Sequence, residues 1–275
     1  MGGWTLTLTD EQLGLALQEN LFDLFRAMCA LPGSALHEAE TLSYHCAAAA
    51  HRMFRGVWRA RLTHENADEV IEQAIAWFRA RNAPTFYWWF GPGSAPDDLP
   101  ERLAGRGLTL NMDGEPIMAV DLHALHESPA PEDFTAARAA DPRALTDFSE
   151  AFAGGYGLAS PFGEAWAEAT ARLGGEHAPW ELYVGYWRGQ PVTTSILFRG
   201  AGVAGIYGVS TRPEARGRGF GGAITLRALL SAREGGERYA ALFASALGAP
   251  VYRRLGLRET SWRIGRYLWE KESAG

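Results

Sequence analysis

Cysteine is nearly missing. Cys29 and Cys46 are too few and too unpatterned in 275 residues for a disulfide framework or a zinc site, and they suit a reducing compartment. No uninterrupted apolar run approaches the length of a membrane span. The opening MGGWTLTLTDEQ has no basic region ahead of an apolar one, so a cytoplasmic protein without a membrane partner is expected. Gly2 does not make a myristoylation signal, because Leu6 stands where Ser or Thr is wanted. A basic stripe is also absent: the arginines are scattered through a chain of net charge −6 and pI ≈ 5.7, which argues against a nucleic-acid partner. The same sign favours a cationic partner such as an amine. What is abundant is apolar side chain, 47% against 21% charged, enough for the core of one large domain or two ordinary ones.

Thr9-Asp10-Glu11-Gln12 reads as a capping box opening a helix with Leu13, Leu17, Leu21, Leu24 and Met28 at helical spacing, ended by Pro32-Gly33. His45-Cys46 is assigned to an alanine-rich helix and read as buried rather than nucleophilic. A strand is expected over Phe54 to Leu62, then a helix capped by Asn66 and carrying Val70, Ile71, Ala74, Ile75 and Phe78. A strand over Thr85 to Phe90, a short helix over Leu99 to Ala104 and a strand over Pro116 to Leu122 complete the amino half. The polar, proline-bearing stretch His123 to Asp133 has no periodicity and reads as a linker between a unit over 1–125 and another over 133–275. Its His123-x-x-His126 has metal-like spacing without a third ligand, so no metal is expected.

Beyond the linker, a strand over Phe134 to Arg138 leads to a helix opened by Asp141-Pro142 and carrying Leu145, Phe148 and Phe152. A glycine break at Gly154 to Gly157 separates it from a helix near Phe162 to Leu173. Three antiparallel strands follow, WELYVGYW, VTTSILF and VAGIYGV, then a glycine loop and a helix over Ala223 to Arg233. A strand over Tyr239 to Ala244, a short helix around Tyr252 and a closing strand over Glu259 to Trp269 end the pattern. The ten tryptophans fall mostly in apolar strands or helices and read first as core.

The most informative stretch is VSTRPEARGRGFGG, Val209 to Gly222, because it joins a β-forming run directly to a helix. Helix N-termini carry unpaired N–H groups and the positive end of the macrodipole, so a backbone without Cβ atoms there can wrap phosphate closely. Gly217, Gly219 and Gly222 also fit a G-x-G-x-x-G dinucleotide fingerprint, yet the acidic residue that motif needs at the end of the next strand is missing, where Ser245 stands. No Gly-Lys-Ser/Thr follows, which excludes a nucleotide triphosphatase loop. A glycine-rich turn with no ligand remains as the bland reading, and Pro213 suits it.

The loop resembles the acyl-CoA-binding signature of the GNAT N-acetyltransferase family, with Arg216, Gly219 and Gly221 in the signature positions. Downstream, Tyr252, Arg253, Arg254, Leu255, Gly256 and Leu257 are similar to the family's later signature, and two separate matches coincide by chance far less readily than one. The resemblance implies an α/β (α+β) fold of two GNAT-like domains, each a mixed, mostly antiparallel sheet flanked by helices. The amino half reads as a degenerate copy: LAGRGL echoes RRLGL, but no counterpart of the phosphate loop is present, so a second CoA site is not expected. An unrelated α/β extension is the competing reading of that half. That extension would cover one edge of the catalytic sheet, whereas a degenerate copy is expected to close one side of an acceptor pocket or of an oligomer interface, such as that of a homodimer.

Acyl transfer from a thioester needs a held donor, a polarised carbonyl, a neutral amine and a proton for the departing thiolate. The resemblance implies that the backbone of Arg216, Gly217, Arg218, Gly219, Phe220, Gly221 and Gly222 binds the pyrophosphate of acetyl-CoA, with the Arg216 and Arg218 side chains adding charge. It implies that strand Ile206 to Ser210 splays from strand Tyr239 to Ala244, admitting pantetheine beside Val209, Ser210, Thr211 and Ser245, with the Val209 amide facing the carbonyl. Tyr252 is the natural acid, since a phenol of ordinary pKa near 10 is protonated at neutral pH. The family often carries a carboxylate base on the strand that here reads VAGIYGV, and this strand has none. Glu164, Glu168, His177 and Glu181 read as surface charges, Tyr156 and Tyr207 as water relays or pocket walls, and no base is assigned. The expected activity is acetyl transfer to the amine of a small molecule. A CoA-binding sensor without turnover is the alternative from a different class, and an aminoacyl or longer-acyl transferase the alternative within enzymes.

Overall fold

The computed structural model describes residues 8–49, 51–157 and 161–271; Gly2 and Leu6 lie outside them. In the amino half, helix α1 (Asp10–Met28) leads to strands β1 (Ala35–Glu38), β2 (Ser43–Cys46) and β3 (Arg55–Trp58), helix α2 (Ala67–Ala80), strand β4 (Thr85–Phe90), helix α3 (Leu99–Ala104) and strand β5 (Thr109–Asp121). The other half runs β6 (Phe134–Arg138), α4 (Pro142–Tyr156), α5 (Pro161–Arg172), β7 (Trp180–Trp187), β8 (Gln190–Gly200), β9 (Val203–Thr211), α6 (Phe220–Glu234), β10 (Tyr239–Phe243), α7 (Ala249–Arg254) and β11 (Arg258–Glu270).

All eleven strands form one mixed, mostly antiparallel sheet in the order β1-β2-β3-β4-β11-β5-β10-β9-β8-β7-β6. The last strand of each half crosses into the other: β5 lies between β10 and β11, and β11 lies between β4 and β5. The order is matched on both sides of this exchange, with β3 parallel to β4 and β9 parallel to β10. Helix α2 packs with the apolar strand faces of its own half, α6 with those of the other, and α1 with α4 and α5 covers the centre.

The expected capping box is present: Thr9 Oγ1 accepts from Gln12 N at 3.2 Å and Gln12 Oε1 accepts from Thr9 N at 2.9 Å. Four expectations fail locally. His45 and Cys46 lie in β2, not a helix, where His45 stacks on Phe25 and accepts from Trp58 Nε1. Asn66 does not cap α2 with its side chain; its Oδ1 accepts from Thr63 N instead. Gly154 and Gly155 are helical, because a Cβ on Gly155 would come within 2.4 Å of Ser210 Oγ: the glycine admits β9, and only Gly157, at φ +64°, ends α4. Strand β5 begins seven residues earlier than expected, since Thr109–Met112 pair with the far end of β11. The stretch expected to be irregular, His123 to Asp133, opens within a 3-10 turn over Leu122–Ala124 and is irregular beyond it; His126 N donates to Leu255 O and Glu127 pairs with Arg233 at 2.8 Å.

Candidate active site

Helix α6 starts at Gly219, which sits at φ +83° with no side-chain cap, and the first helical bond runs from Ala223 N to Gly219 O. The amides of Phe220, Gly221 and Gly222 therefore open outward from the positive end of a fifteen-residue helix. Protein packing does not require glycine here: a Cβ on Gly221 or Gly222 would meet only Thr211 Oγ1 at 3.4 Å or Val251 Cγ1 at 3.5 Å. Glycine in a helix costs about 0.5–1 kcal/mol relative to alanine, so its use where alanine fits points to space kept for a ligand. At the matching place in the amino half, Thr63 and Asn66 cross-bond ahead of α2, and Asp68 and Glu69 occupy its first turn, where they would repel phosphate.

The two arginines of the loop differ. The Arg216 side chain donates to the carbonyls of Thr211 at 3.0 Å and Gly155 at 2.8 Å, so it braces β9 against α4 instead of extending freely toward a phosphate. Arg218 lies over the Trp187 ring at 4.6 Å. The Phe220 ring stacks on Phe134 in the core, which leaves its backbone alone at the loop. Ser210 and Thr211 turn their hydroxyls to Thr194 and Thr193.

Strands β9 and β10 pair only at Ala204↔Ala240 and Gly205↔Ala241, while β10 stays paired with β5 through Phe243↔Ile117. Beyond those two pairs β9 diverges, helped by a register shift against β8 where Gly208 takes φ +58°. Ile206, Tyr207, Gly208 and Val209 line one wall of the resulting cavity, and Phe243, Ser245 and Tyr252 another. It holds ≈ 320 Å³, within the range of small-molecule sites. The matching place beside β3 and β4, filled by Gln18 and Phe22 of α1, keeps only ≈ 10 Å³.

The roof of the cavity comes from the amino half: Leu21, Leu24, Phe25 and Met28 of α1, then Arg52, Tyr87, Trp89 and Glu115. Tyr252 is buried, its hydroxyl bonds none of the described residues, and burial, then Tyr156 and Glu115, pushes its pKa above the ordinary phenol value. Glu115, on β5, went unassigned in the sequence. Burial raises its pKa above 4.5 and Arg266 partly offsets this. It is a carboxylate in the cavity with Tyr252, the arrangement a base needs opposite an acid.

Glu164, Glu168, His177 and Glu181, read as surface charges, lie outside this cavity. Glu181 is committed to Arg199 at 2.6 Å and to Tyr183 and Ser231, Glu168 pairs with Arg172, and His177 pairs with Glu176 on an exposed loop. Glu164 lines a separate groove between α4 and α5. Tyr156 lines the cavity, with its hydroxyl 3.5 Å from Val209 O. Tyr207 is no relay: its hydroxyl donates to Asn20 Oδ1 at 2.6 Å, and Asn20 Nδ2 donates to carbonyls of Phe198, Gly200 and Val203, tying α1 to the sheet.

Residues 187–259 match the family model of the acetyltransferase (GNAT) domain. No curated protein sequence matches the chain. Among solved structures, a GCN5-related N-acetyltransferase from Kribbella flavida is 19% identical, with a TM-score of 0.71 over 94% of this chain and 97% of that one. One from Sphaerobacter thermophilus is 20% identical, with a TM-score of 0.61 over 96% and 94%. A tandem GNAT protein from the clavulanic acid biosynthesis pathway is 14% identical, with a TM-score of 0.57 over 94% and 96%. These likenesses concern the fold, and each spans both halves. No helix among the described residues is long and apolar enough to cross a membrane.

Proposed function

We propose, from the premise that residues 187–259 form a GNAT acetyltransferase domain, that the chain transfers acetyl from acetyl-CoA to the amine of a small molecule by direct attack. The observation that carries this reading is the cavity at the divergence of β9 and β10, lined by Tyr252 and Glu115, with the open amides of α6 following β9 in the chain. Pyrophosphate would lie on the amides of Phe220 to Gly222, and pantetheine would enter where the ladder ends, between Val209 and Ser245. Glu115, made more basic by burial, takes a proton from the attacking ammonium, directly or through water. The amine nitrogen then forms a bond to the carbonyl carbon, the carbon–sulfur bond breaks as Tyr252 protonates the departing thiolate, and the extra proton on the acylated nitrogen passes through water to the Tyr252 phenolate, while Glu115 releases its proton to solvent. We further propose that residues 1–125 and 133–275 are two copies of one unit, of which only the second binds CoA.

Titration calorimetry with acetyl-CoA tests the donor site. One molecule should bind per chain, and Gly221→Asp should abolish binding without unfolding the protein, because a carboxylate would occupy and repel the phosphate position. Saturation at two per chain, or tighter binding of a nicotinamide dinucleotide, would overturn it. An amine panel with acetyl-CoA and a thiol-detecting reagent then separates enzyme from sensor: tight CoA binding without thiol release from any amine would favour the sensor.

A further inference from the structure

The net negative charge of the chain does not carry into this cavity. Two guanidinium groups, Arg52 and Arg266, line it against one carboxylate, Glu115. The Arg266 guanidinium lies over the Tyr87 ring at 4.3 Å and the Trp89 ring at 5.0 Å, while its Nε donates to Asn111 Oδ1 at 2.8 Å. No carboxylate among the described residues lies within ion-pair distance of it. Arg52 lies over the same Tyr87 ring, at 5.7 Å, and its buried Nε has no hydrogen-bond acceptor among the described residues. The carboxylate within ion-pair distance of Arg52 is the outlying Glu270, at 3.9 Å.

The remaining ionisable groups of the lining are His51 and the phenols Tyr87, Tyr156, Tyr207 and Tyr252. Burial and the neighbouring arginines push His51 down to about 4, so it adds no charge at neutral pH. Arg266 is half-buried and feels Glu115 only at longer range than an ion pair, so its planar fork of donors stays available to a carboxylate.

We infer that the acceptor is a small amine that also carries an anionic group, which Arg266 and Arg52 hold while its ammonium faces Glu115. The inference rests on the acyltransferase reading and adds the acceptor class to it. Leu24, Phe25 and Met28 leave an apolar wall for the rest of the molecule, which makes an amino acid the simplest fit. A carboxylate and a phosphate would both satisfy the arginines, and the substrate panel distinguishes them.

The panel consists of apolar amino acids, their methyl esters, their decarboxylated amines and aminoalkyl phosphates, each assayed for thiol release from acetyl-CoA and for equilibrium binding to the CoA-saturated protein. Charged hydrogen bonds are worth about 1.5–3 kcal/mol, so kcat/KM for the preferred anionic amine should exceed that of its neutral counterpart by roughly ten- to a hundredfold. Arg266→Gln should erase that preference, chiefly through KM, by weakening the anionic amine at least tenfold more than its neutral counterpart; Arg266→Lys should restore part of it. Should Arg266→Gln fail to fold, the wild-type discrimination and competitive inhibition by carboxylic acids lacking an amine decide the matter. Neutral amines matching or surpassing anionic ones, no binding of any anionic amine, or equal losses for both classes in Arg266→Gln would overturn the inference. Acetylation of neutral amines alone leaves the acyltransferase reading standing, whereas loss of CoA binding in the wild type would remove that reading itself.

Discussion

At the residue scale, acid and base can be separated by two substitutions that remove a proton site and little else. Tyr252→Phe keeps the ring that packs in the core and deletes a hydroxyl that bonds none of the described residues, so acetyl-CoA affinity should stay within a few-fold while turnover falls roughly ten- to a thousandfold. An unchanged rate would retire Tyr252 as the acid, because a thiolate can leave by taking its proton from water. For Glu115 the pH profile is the sharper test. Its pKa is raised, so it stays protonated to higher pH than a free glutamate, and kcat/KM should fall as the pH drops through that displaced value. Glu115→Gln should lower turnover by about 10²–10⁴ and remove this acid limb, leaving only the ionisation of the acceptor amine. A limb that persists unchanged in the variant would assign it to another group.

At the scale of elements, the chemistry depends on a ladder that stops after two pairs, and the bend at Gly208 holds it open. There φ is +58° and a Cβ would lie 2.7 Å from Phe152 and 2.8 Å from Ile196, so Gly208→Ala faces both backbone strain and a clash. Overpacking of this kind costs roughly 1–3 kcal/mol. Gly217→Ala, at φ +76° with nothing within 4 Å, carries only the conformational cost and should melt higher than Gly208→Ala. Equal melting temperatures would show that β9 can relax. This contrast also explains what was legible in the sequence. The loop at Arg216–Gly222 and the Tyr252 helix are local, so consecutive residues announce them. Strands β1 and β2 are four residues long with mixed burial, too short for periodicity to register. Gly154 and Gly155 looked like a break because glycine is a poor helix former; their reason, the close approach of β9, lies more than fifty residues away. Glu115, Arg52 and Arg266 could not be seen as one group, since only the pairing of β11 with β5 and β4, and of β4 with β3, which Arg52 just precedes, brings them to one cavity.

At the scale of the whole molecule, the exchange of β5 and β11 makes the two halves a single mechanical object. An amino half that merely covers the site could be removed with loss of solubility or acceptor choice alone. The register says otherwise: without residues 1–122, β11 loses both neighbours and β10 loses the strand on its outer side. Such a truncation exposes three unpaired strand edges, two on β11 and one on β10, and should be recovered as aggregate. Cutting the connection without removing anything is the more telling experiment. Residues 126–130 are exposed and irregular, so a protease recognition sequence placed at 128–130 should be cleaved in the folded protein. The fragments should then co-elute as one species of the parent's size, bind acetyl-CoA as before, and unfold in urea in one transition, because each supplies a central strand to the other. Fragments that part in native buffer, or a second transition assignable to the amino half, would mean that the exchanged strands contribute less than the packing within each half. Association with retained acetyl-CoA binding but lost turnover would place the failure in the cavity roof, where α1, Arg52 and Glu115 from one fragment meet Tyr252 and Arg266 from the other.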